Sequence, residues 1–300
     1  MSWIIFTISG AFFQNLRSSL QKKLNKDLSI VASTYVRFAF ALPFAILIFF
    51  LNFGNFEIIS KILRQTDFIY LTIIASIFQI LFTFTLLYLF NFSNFVVGTS
   101  LSKTEVVQVA IFEYFLLKDK LNVFGIFGII IATIGVIIIS VKDPKLFFSN
   151  FFSKTTFIGL LTGLFLGLSV VFFRAAALSL EDFSSNFDKA IITLFFGLTI
   201  QTSIISIYLL VYERSEFRKF KNNKLESCLA GFTGFLATLS WFFAFTFIQA
   251  SFVRALGQVE IFFSFVSSKY FFKEKIKKIE IIGIIIFVFG VTMMLLTKMN

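Results

Sequence analysis

The sequence predicts an all-α integral membrane protein of ten transmembrane helices in two inverted five-helix repeats, and three observations carry that prediction. Hydrophobic residues make up 58% of the 300, charged residues 14%, and only two are proline, whereas a soluble domain carries about 25% charged residues. Mean hydropathy is +0.92. Apolar stretches of roughly 20 residues, the length that crosses a bilayer at 1.5 Å per residue, recur along the whole chain. Finally, the chain repeats itself.

The repeat is read directly from the sequence. Leu101-Ser102-Lys103-Thr104-Glu105 opens a run through Lys118-Asp119-Lys120, Gly128 and Gly135-Val136. The same order returns 155 residues later, with Leu256, Glu260, Lys273-Glu274-Lys275, Gly283 and Gly290-Val291. Gly10 with Arg17 and Gly167 with Arg174 make a second matched pair at an offset of 157, as loops that changed length after a duplication would leave it. Internal symmetry of this kind marks many transporter folds.

In chain order the predicted spans are Trp3 to Leu20, Ile30 to Leu51, Phe68 to Phe90, Phe95 to Leu117 and Val123 to Val141. The second set is Phe157 to Leu180, Phe187 to Val211, Ser227 to Ile248, Phe252 to Phe272 and Ile279 to Leu296. The first repeat is assigned residues 1–142, a linker 143–155 and the second repeat 156–300, because apolar sequence breaks at Asp143-Pro144-Lys145. Five is odd, so the second copy enters the membrane from the opposite side. The first stretch does not read as a signal peptide and is expected to stay as a helix: Met1-Ser2 gives no basic start, and Gln14-Asn15-Leu16-Arg17 interrupts the apolar run.

Several chemistries are excluded together. Histidine is absent and Cys228 is the single cysteine, which leaves no disulfide, no Cys/His zinc site and no Ser-His-Asp or Cys-His triad. No Gly-rich phosphate loop is followed by Lys-Ser or Lys-Thr, so no ATP motor is encoded. No cofactor or metal is expected, and the chain reads as a non-enzyme. The net charge of +11 needs no nucleic acid, because basic loops beside anionic lipid account for it. Abundant Phe (49 residues) with much Ile, Asn and Lys resembles an AT-rich coding bias, so aromatic content is no argument for an aromatic ligand.

Orientation is left with two conflicting arguments. Loops on the side of the N-terminus hold about five Lys and Arg and the opposite loops about fifteen, which by the positive-inside rule puts both termini outside the cytoplasm.

The run from Leu101 through Val136, with its early glutamate, its Lys-Asp-Lys turn and its glycine-bearing last helix, resembles the EamA half-repeat of the drug/metabolite transporter superfamily. So does the copy from Leu256 through Val291, and Arg37 and the Gly10 region also fit. The resemblance covers essentially the whole chain. It implies ten helices in two inverted repeats around a central cavity, secondary transport of small metabolites, and cytoplasmic termini, against the loop-charge count. One departure stands out: the family often carries Pro directly after the position of Glu105 or Glu260, whereas Val106 and Ile261 stand here. A proline-driven break in the fourth and ninth helices is therefore not expected.

A charge at mid-membrane costs about 2.5–3.5 kcal/mol on insertion scales, so each one points to a function or a partner. Glu105 and Glu260 occupy equivalent places in the fourth and ninth spans, with Lys103, Gln108, Arg254 and Gln258 around them. They read either as a polar floor for a substrate ammonium or coupling proton, or as ion pairs that hold helices together. Arg17 and Arg174 are the second symmetric pair; Gln14, Arg17, Ser18 and Gln21 draw a polar stripe at spacings of three and four. An arginine fork suits a carboxylate or phosphate, and snorkelling or pairing with a glutamate is the alternative. Arg37 in the second span, Gln79 and Tyr88 in the third and Trp241 in the eighth complete the candidate lining. Gly125, Gly128, Gly135, Gly283 and Gly290 read as close-packing points or a lipid-facing dimer surface.

The function expected is export or exchange of a small polar metabolite, such as an amino acid or other carboxylate-bearing solute, by alternating access in a bacterial cytoplasmic (inner) membrane. Partners are that solute and the bilayer, with a coupling ion and a homo-oligomer left open. The competing classes are a passive channel or structural membrane partner, which counterflow separates from a carrier, and a membrane-embedded enzyme acting on lipid.

Overall fold

Where the apolar runs begin, the chain supplies a capping side chain. Ser29, Asn122, Ser153 and Ser185 each accept a hydrogen bond from a backbone N–H in the first turn that follows, which satisfies a donor the helix cannot. A computed structural model describes residues 2–54, 57–92, 95–141, 144–263 and 278–297. The Lys273-Glu274-Lys275 turn and residues 264–272 of the ninth predicted span lie outside them.

The described residues are helical nearly throughout. The first half comprises α1 (Ser2–Leu24), α2 (Ile30–Ala39), α3 (Leu42–Phe53), α4 (Glu57–Leu63), α5 (Thr66–Leu89), α6 (Phe95–Ser102), α7 (Glu105–Phe112), a π-helical turn (Glu113–Leu117) and α8 (Val123–Ser140). The second half comprises α9 (Pro144–Ser149), α10 (Lys154–Ser179), α11 (Asn186–Tyr212), α12 (Glu216–Asn222), α13 (Lys224–Phe247), α14 (Ala250–Gly257) and α15 (Lys278–Leu296). Helical backbone resumes at 260–263. Lys118 at φ 58° closes the π turn, and Gly54 at φ 73° ends α3 by donating its N–H to Phe50 O; glycine tolerates that left-handed geometry without a Cβ penalty.

Among the described residues, six stretches are long and apolar enough to cross a membrane: Ile30–Phe53, Thr66–Leu89, Val123–Ser140, Lys154–Ser179, Asn186–Tyr212 and Lys224–Phe247. The other four of the ten predicted spans do not meet that measure by themselves. Each of the other four predicted spans is helical where described, but α1 carries the stripe of Gln14, Arg17, Gln21, Lys22 and Lys23, and α15 is apolar only over Ile281–Leu296. The fourth and ninth spans are interrupted at 103–104 and at 258–259. The second predicted span is also two helices, α2 and α3, which meet at Phe40-Ala41 just before Pro43, where proline cannot donate to the preceding turn.

Helices of one half pack on helices of the other. The first helix, α1, lies along α13, the third long helix of the second half, and α10 lies along α5, the third span of the first half. The pairing of α8 with α15 shows the direction. A Cβ built on Gly128 would fall 2.8 Å from Gly290 O, and one on Gly135 would fall 2.8 Å from Gly283 O and 2.5 Å from Phe287 N. The early glycine of α8 meets the late one of α15 and the reverse, so these two equivalent helices run antiparallel. Backbones this close require glycine, as small-residue seams in membranes generally do. The glycines are thus an internal seam of the chain. Hydroxyls inside the helices are quieted locally: Thr72, Thr83, Thr133 and Thr162 each donate to the carbonyl four residues earlier, which hides a polar group the bilayer will not solvate.

Candidate substrate site at the broken helices

The interruptions at 103–104 and 258–259 fall at positions exactly one repeat apart, and neither contains proline. Both are overwound: Lys103 N and Thr104 N donate to Ser100 O and Leu101 O, and Gln258 N and Val259 N donate to Ala255 O and Leu256 O, all three residues back. The helix tightens for one turn, and the next helix begins at a glutamate. Sequence reasoning tied such a break to proline and missed it. The local signal was a run of polar residues inside an apolar span, Ser102-Lys103-Thr104-Glu105 in one half and Gln258 with Glu260 in the other.

Each glutamate is held by the opposite half. Glu105 is buried and its Oε1 accepts from Arg254 Nε (3.1 Å), from Arg254 Nη2 and from Gln258 Nε2 (3.1 Å). Glu260 pairs with Lys103 and accepts from Gln14 Nε2 at 2.6 Å. The exchange is reciprocal: the residue two before each glutamate, Lys103 or Gln258, reaches the other glutamate. Charge pairing in hydrocarbon is what makes these carboxylates tolerable, since an unpaired one costs several kcal/mol.

Trp241 joins the two pairs. Its Nε1 donates to Gln14 Oε1 at 3.1 Å, and the Arg254 guanidinium lies 4.7 Å from the centre of its ring, a cation–π contact. Gly10 and Gly257 leave room for the indole; a Cβ on Gly10 would come within 3.1 Å of it. On the other flank, Gly163 of α10 lets that helix close on the break, with Ser102 O at 3.0 Å and Gln108 Nε2 at 3.2 Å from where its Cβ would stand. Gln108 donates to Thr104 Oγ1 at 3.2 Å, and Glu105 Oε2, Gln108 Oε1 and Gln258 Oε1 are buried without a donor.

Of the residues singled out in the sequence, the structure brings Lys103, Glu105, Gln108, Trp241, Arg254, Gln258 and Glu260 into this one network, with Gln14 added. Gln14 was visible in the stripe on α1 but its partners were not. Arg17 and Arg37 lie beside it. Arg17 Cδ and the Arg37 carbonyl stand 3.3 and 3.5 Å from the place a Gly234 Cβ would occupy. Arg17 is 2% exposed, its Nε has no hydrogen-bond partner, and no described carboxylate is within 4.0 Å of it. Arg37 donates to Thr83 Oγ1 at 2.5 Å and rests on the rings of Phe38 and Phe82.

Arg174, Gln79 and Tyr88 are engaged elsewhere. Arg174 donates from Nε to Phe245 O and Ile248 O, both at 3.2 Å, and its Nη1 pairs with Asp119 and, at 3.2 Å, with Glu113. Glu113 in turn accepts from the N–H groups of Ala250 (2.6 Å) and Ser251 (2.9 Å) at the start of α14, where a carboxylate satisfies helix donors and complements the dipole. Glu113 and Asp119 were missed, because nothing in their spacing links them to an arginine more than fifty residues away. Gln79 accepts from Gln201 Nε2 at 2.7 Å. The ring contacts of Tyr88 are Phe84 and Phe92. A recess of about 440 Å³ between α7, the π turn and α8 is lined by Val107, Ile111, Tyr114, Phe115 and Ile126 among others; of these Ile111, Tyr114, Phe115 and Ile126 are exposed on the outside of the bundle, and neither glutamate lines it.

The described residues hold no cluster of three or more His, Cys, Asp and Glu that would bind a metal ion. The arrangement offers paired carboxylates and amide donors and acceptors at two helix breaks, with two further guanidiniums beside them, and among the described residues it holds no nucleophile poised by a base.

Among curated proteins none matches the chain. A protein of known crystal structure superposes with a TM-score of 0.73 over 100% of this chain and 99% of its own, at 12% identity, so the fold is shared and nothing more follows. The description of the EamA-like transporter family matches twice, over residues 1–141 and 153–296. With two family-matched halves and apolar helices that exchange partners across the repeat, the chain belongs to the EamA-like transporter family of the drug/metabolite transporter superfamily.

Proposed function

We propose that this chain is a secondary carrier of ten crossing helices in two inverted repeats, exporting or exchanging a small polar metabolite by alternating access. An amino acid or another carboxylate-bearing solute is the cargo class, and a bacterial cytoplasmic membrane the location. The observation that carries the reading is the reciprocal hold at the two breaks, Lys103 on Glu260 and Arg254 with Gln258 on Glu105. Paired discontinuous helices at a repeat interface are where carriers place their sites. The antiparallel seam of α8 and α15 supports inverted repeats. Rocking one half against the other exchanges these pairs with solute, while Arg174, Glu113 and Asp119 tie the start of α14 to the π turn and α10 on one side of the site.

A thermal-shift series on the detergent-purified chain tests this, because a ligand that binds the folded state raises apparent stability. Amino acids and organic acids are the probes. The expected result is a stabilising solute whose effect is lost in Glu105→Gln, while the variant remains folded. Counterflow then separates carrier from channel: preloaded solute drives tracer uptake only through an alternating site. Unchanged transport of that solute by a folded Glu105→Ala, Glu260→Ala double variant contradicts the proposal.

A further inference from the structure

Charge is not balanced around the two breaks. Arg17, Arg37, Lys103 and Arg254 face Glu105 and Glu260, and among the described residues both carboxylates are already held, by Arg254 and by Lys103. Arg17 and Arg37 have no described carboxylate within 4.0 Å, yet are 2% and 5% exposed. Neither is snorkelling, since a snorkelling guanidinium reaches water. Arg37 uses one N–H on Thr83 and sits over two aromatic rings; Arg17 keeps a buried Nε with no acceptor. Arg17 feels the attraction of Glu260 and the repulsion of Arg254, and Arg37 the repulsion of both Arg17 and Arg254; with four cations against two carboxylates the field over the pair stays positive.

We propose that Arg17 and Arg37 form the anion-binding half of the cargo site, and that the cargo carries net negative charge, with its carboxylate or phosphate held by these two guanidiniums. The inference rests on the carrier reading and sharpens it. A zwitterion brings an ammonium that needs a free carboxylate, and both glutamates here have cations of their own. An anion supplies what the site lacks: its oxygens accept from the forks of arginine in the bidentate geometry that guanidinium offers. Gly234 makes the place. A larger side chain there would enter the space shared by Arg17 and the Arg37 backbone, where α1, α2 and α13 converge.

The surplus of positive charge also predicts a stability signature. Two buried like charges with no anion destabilise the empty protein, so removing one relieves the apo state even as it removes binding, a trade between stability and function. A residue with a structural role would do the opposite.

The test uses the full chain in detergent with succinate and inorganic phosphate as anionic probes, alanine as zwitterion and putrescine as cation. Melting temperature is read for the native chain and for Arg17→Gln, Arg37→Gln and Arg17→Lys. At least one anion is expected to raise the native melting temperature, with alanine and putrescine inert. Each Gln variant should weaken that anion's apparent affinity by roughly tenfold to a hundredfold, and the Arg17→Gln apo protein should melt at or above the native temperature. Arg17→Lys should retain part of the binding. The proposal is overturned if no anion stabilises the native chain at millimolar concentration, or if alanine acts as strongly as succinate and the Gln variants do not change it. It is equally overturned if both Gln variants fail to fold while Arg17→Lys folds without binding, since the charges are then structural. Anion binding without counterflow in proteoliposomes removes the carrier reading and leaves this site standing; counterflow of a zwitterion with anions inert does the reverse.

Discussion

Arg17 and Arg174 occupy equivalent places in the two halves of a duplicated chain and live in different surroundings. Arg174 is locked by two carbonyls and two carboxylates, one of which, Glu113, also caps α14. Arg17 is as deeply buried and has no such partner. Duplication therefore copied the helices and their order, while the pairing of charges diverged. On the proposed reading that asymmetry has a physical use: a carrier that alternates between two faces must hold one face shut while the site stays open to solute, and an arginine locked by carbonyls and carboxylates closes more firmly than one outside ion-pair distance of any described carboxylate.

Perturbations of the two halves should give effects of different size. The largest is expected at Glu105. Truncating it to Ala leaves Arg254 buried and unpaired, a loss of about 3–5 kcal/mol, and the Glu105→Gln, Arg254→Gln pair should recover most of it in denaturant or thermal unfolding. Glu260→Ala should cost less, since Lys103 and Glu260 are 23% and 13% exposed against 5% and 2% for the other pair; equal losses would break the comparison. Next comes Arg174→Ala, about 1.5–3 kcal/mol from charged hydrogen bonds lost at Glu113, with Arg17→Ala neutral or stabilising under the same conditions. If Arg17→Ala is the more damaging, the two arginines have been assigned the wrong way round. At the α8–α15 seam, Gly135→Val places carbon against the Phe287 backbone and should cost about 1–3 kcal/mol by overpacking. The smallest effect is at Gln201→Ala, where loss of the hydrogen bond to Gln79 should cost about 0.6 kcal/mol, the usual scale for such bonds between membrane helices.

The class of fold, the repeat and its register were legible because they rest on apolar length and on matched residues, which need no knowledge of contacts. The glutamates, Lys103, Arg254 and Gln258 were legible for a related reason: polarity inside an apolar span is visible one residue at a time. What they touch was not. That Lys103 crosses to Glu260 and Gln258 to Glu105 follows from how the halves interlock, and no helical spacing encodes it. The breaks were missed because proline was taken as their signature, whereas here the chain overwinds for a turn between polar residues. Four of the ten predicted spans fall short of a long, uniformly apolar helix for the same physical cause, since breaks and stripes make them less continuous or less apolar than a tally of apolar residues suggests. Glu113 illustrates the remaining gap: a carboxylate near the end of an apolar span looks interfacial, until the fold brings it to the start of α14 and to Arg174.

The most direct test of alternating access is counterflow in proteoliposomes made from the native chain. Vesicles are preloaded with the anion that most raises its melting temperature, and the same anion, labelled, is supplied outside. The account predicts transient accumulation of label above equilibrium that requires the internal load and vanishes in Glu105→Gln. Label entry that merely equilibrates, whether or not the vesicles are preloaded, would contradict it and make this chain a passive path.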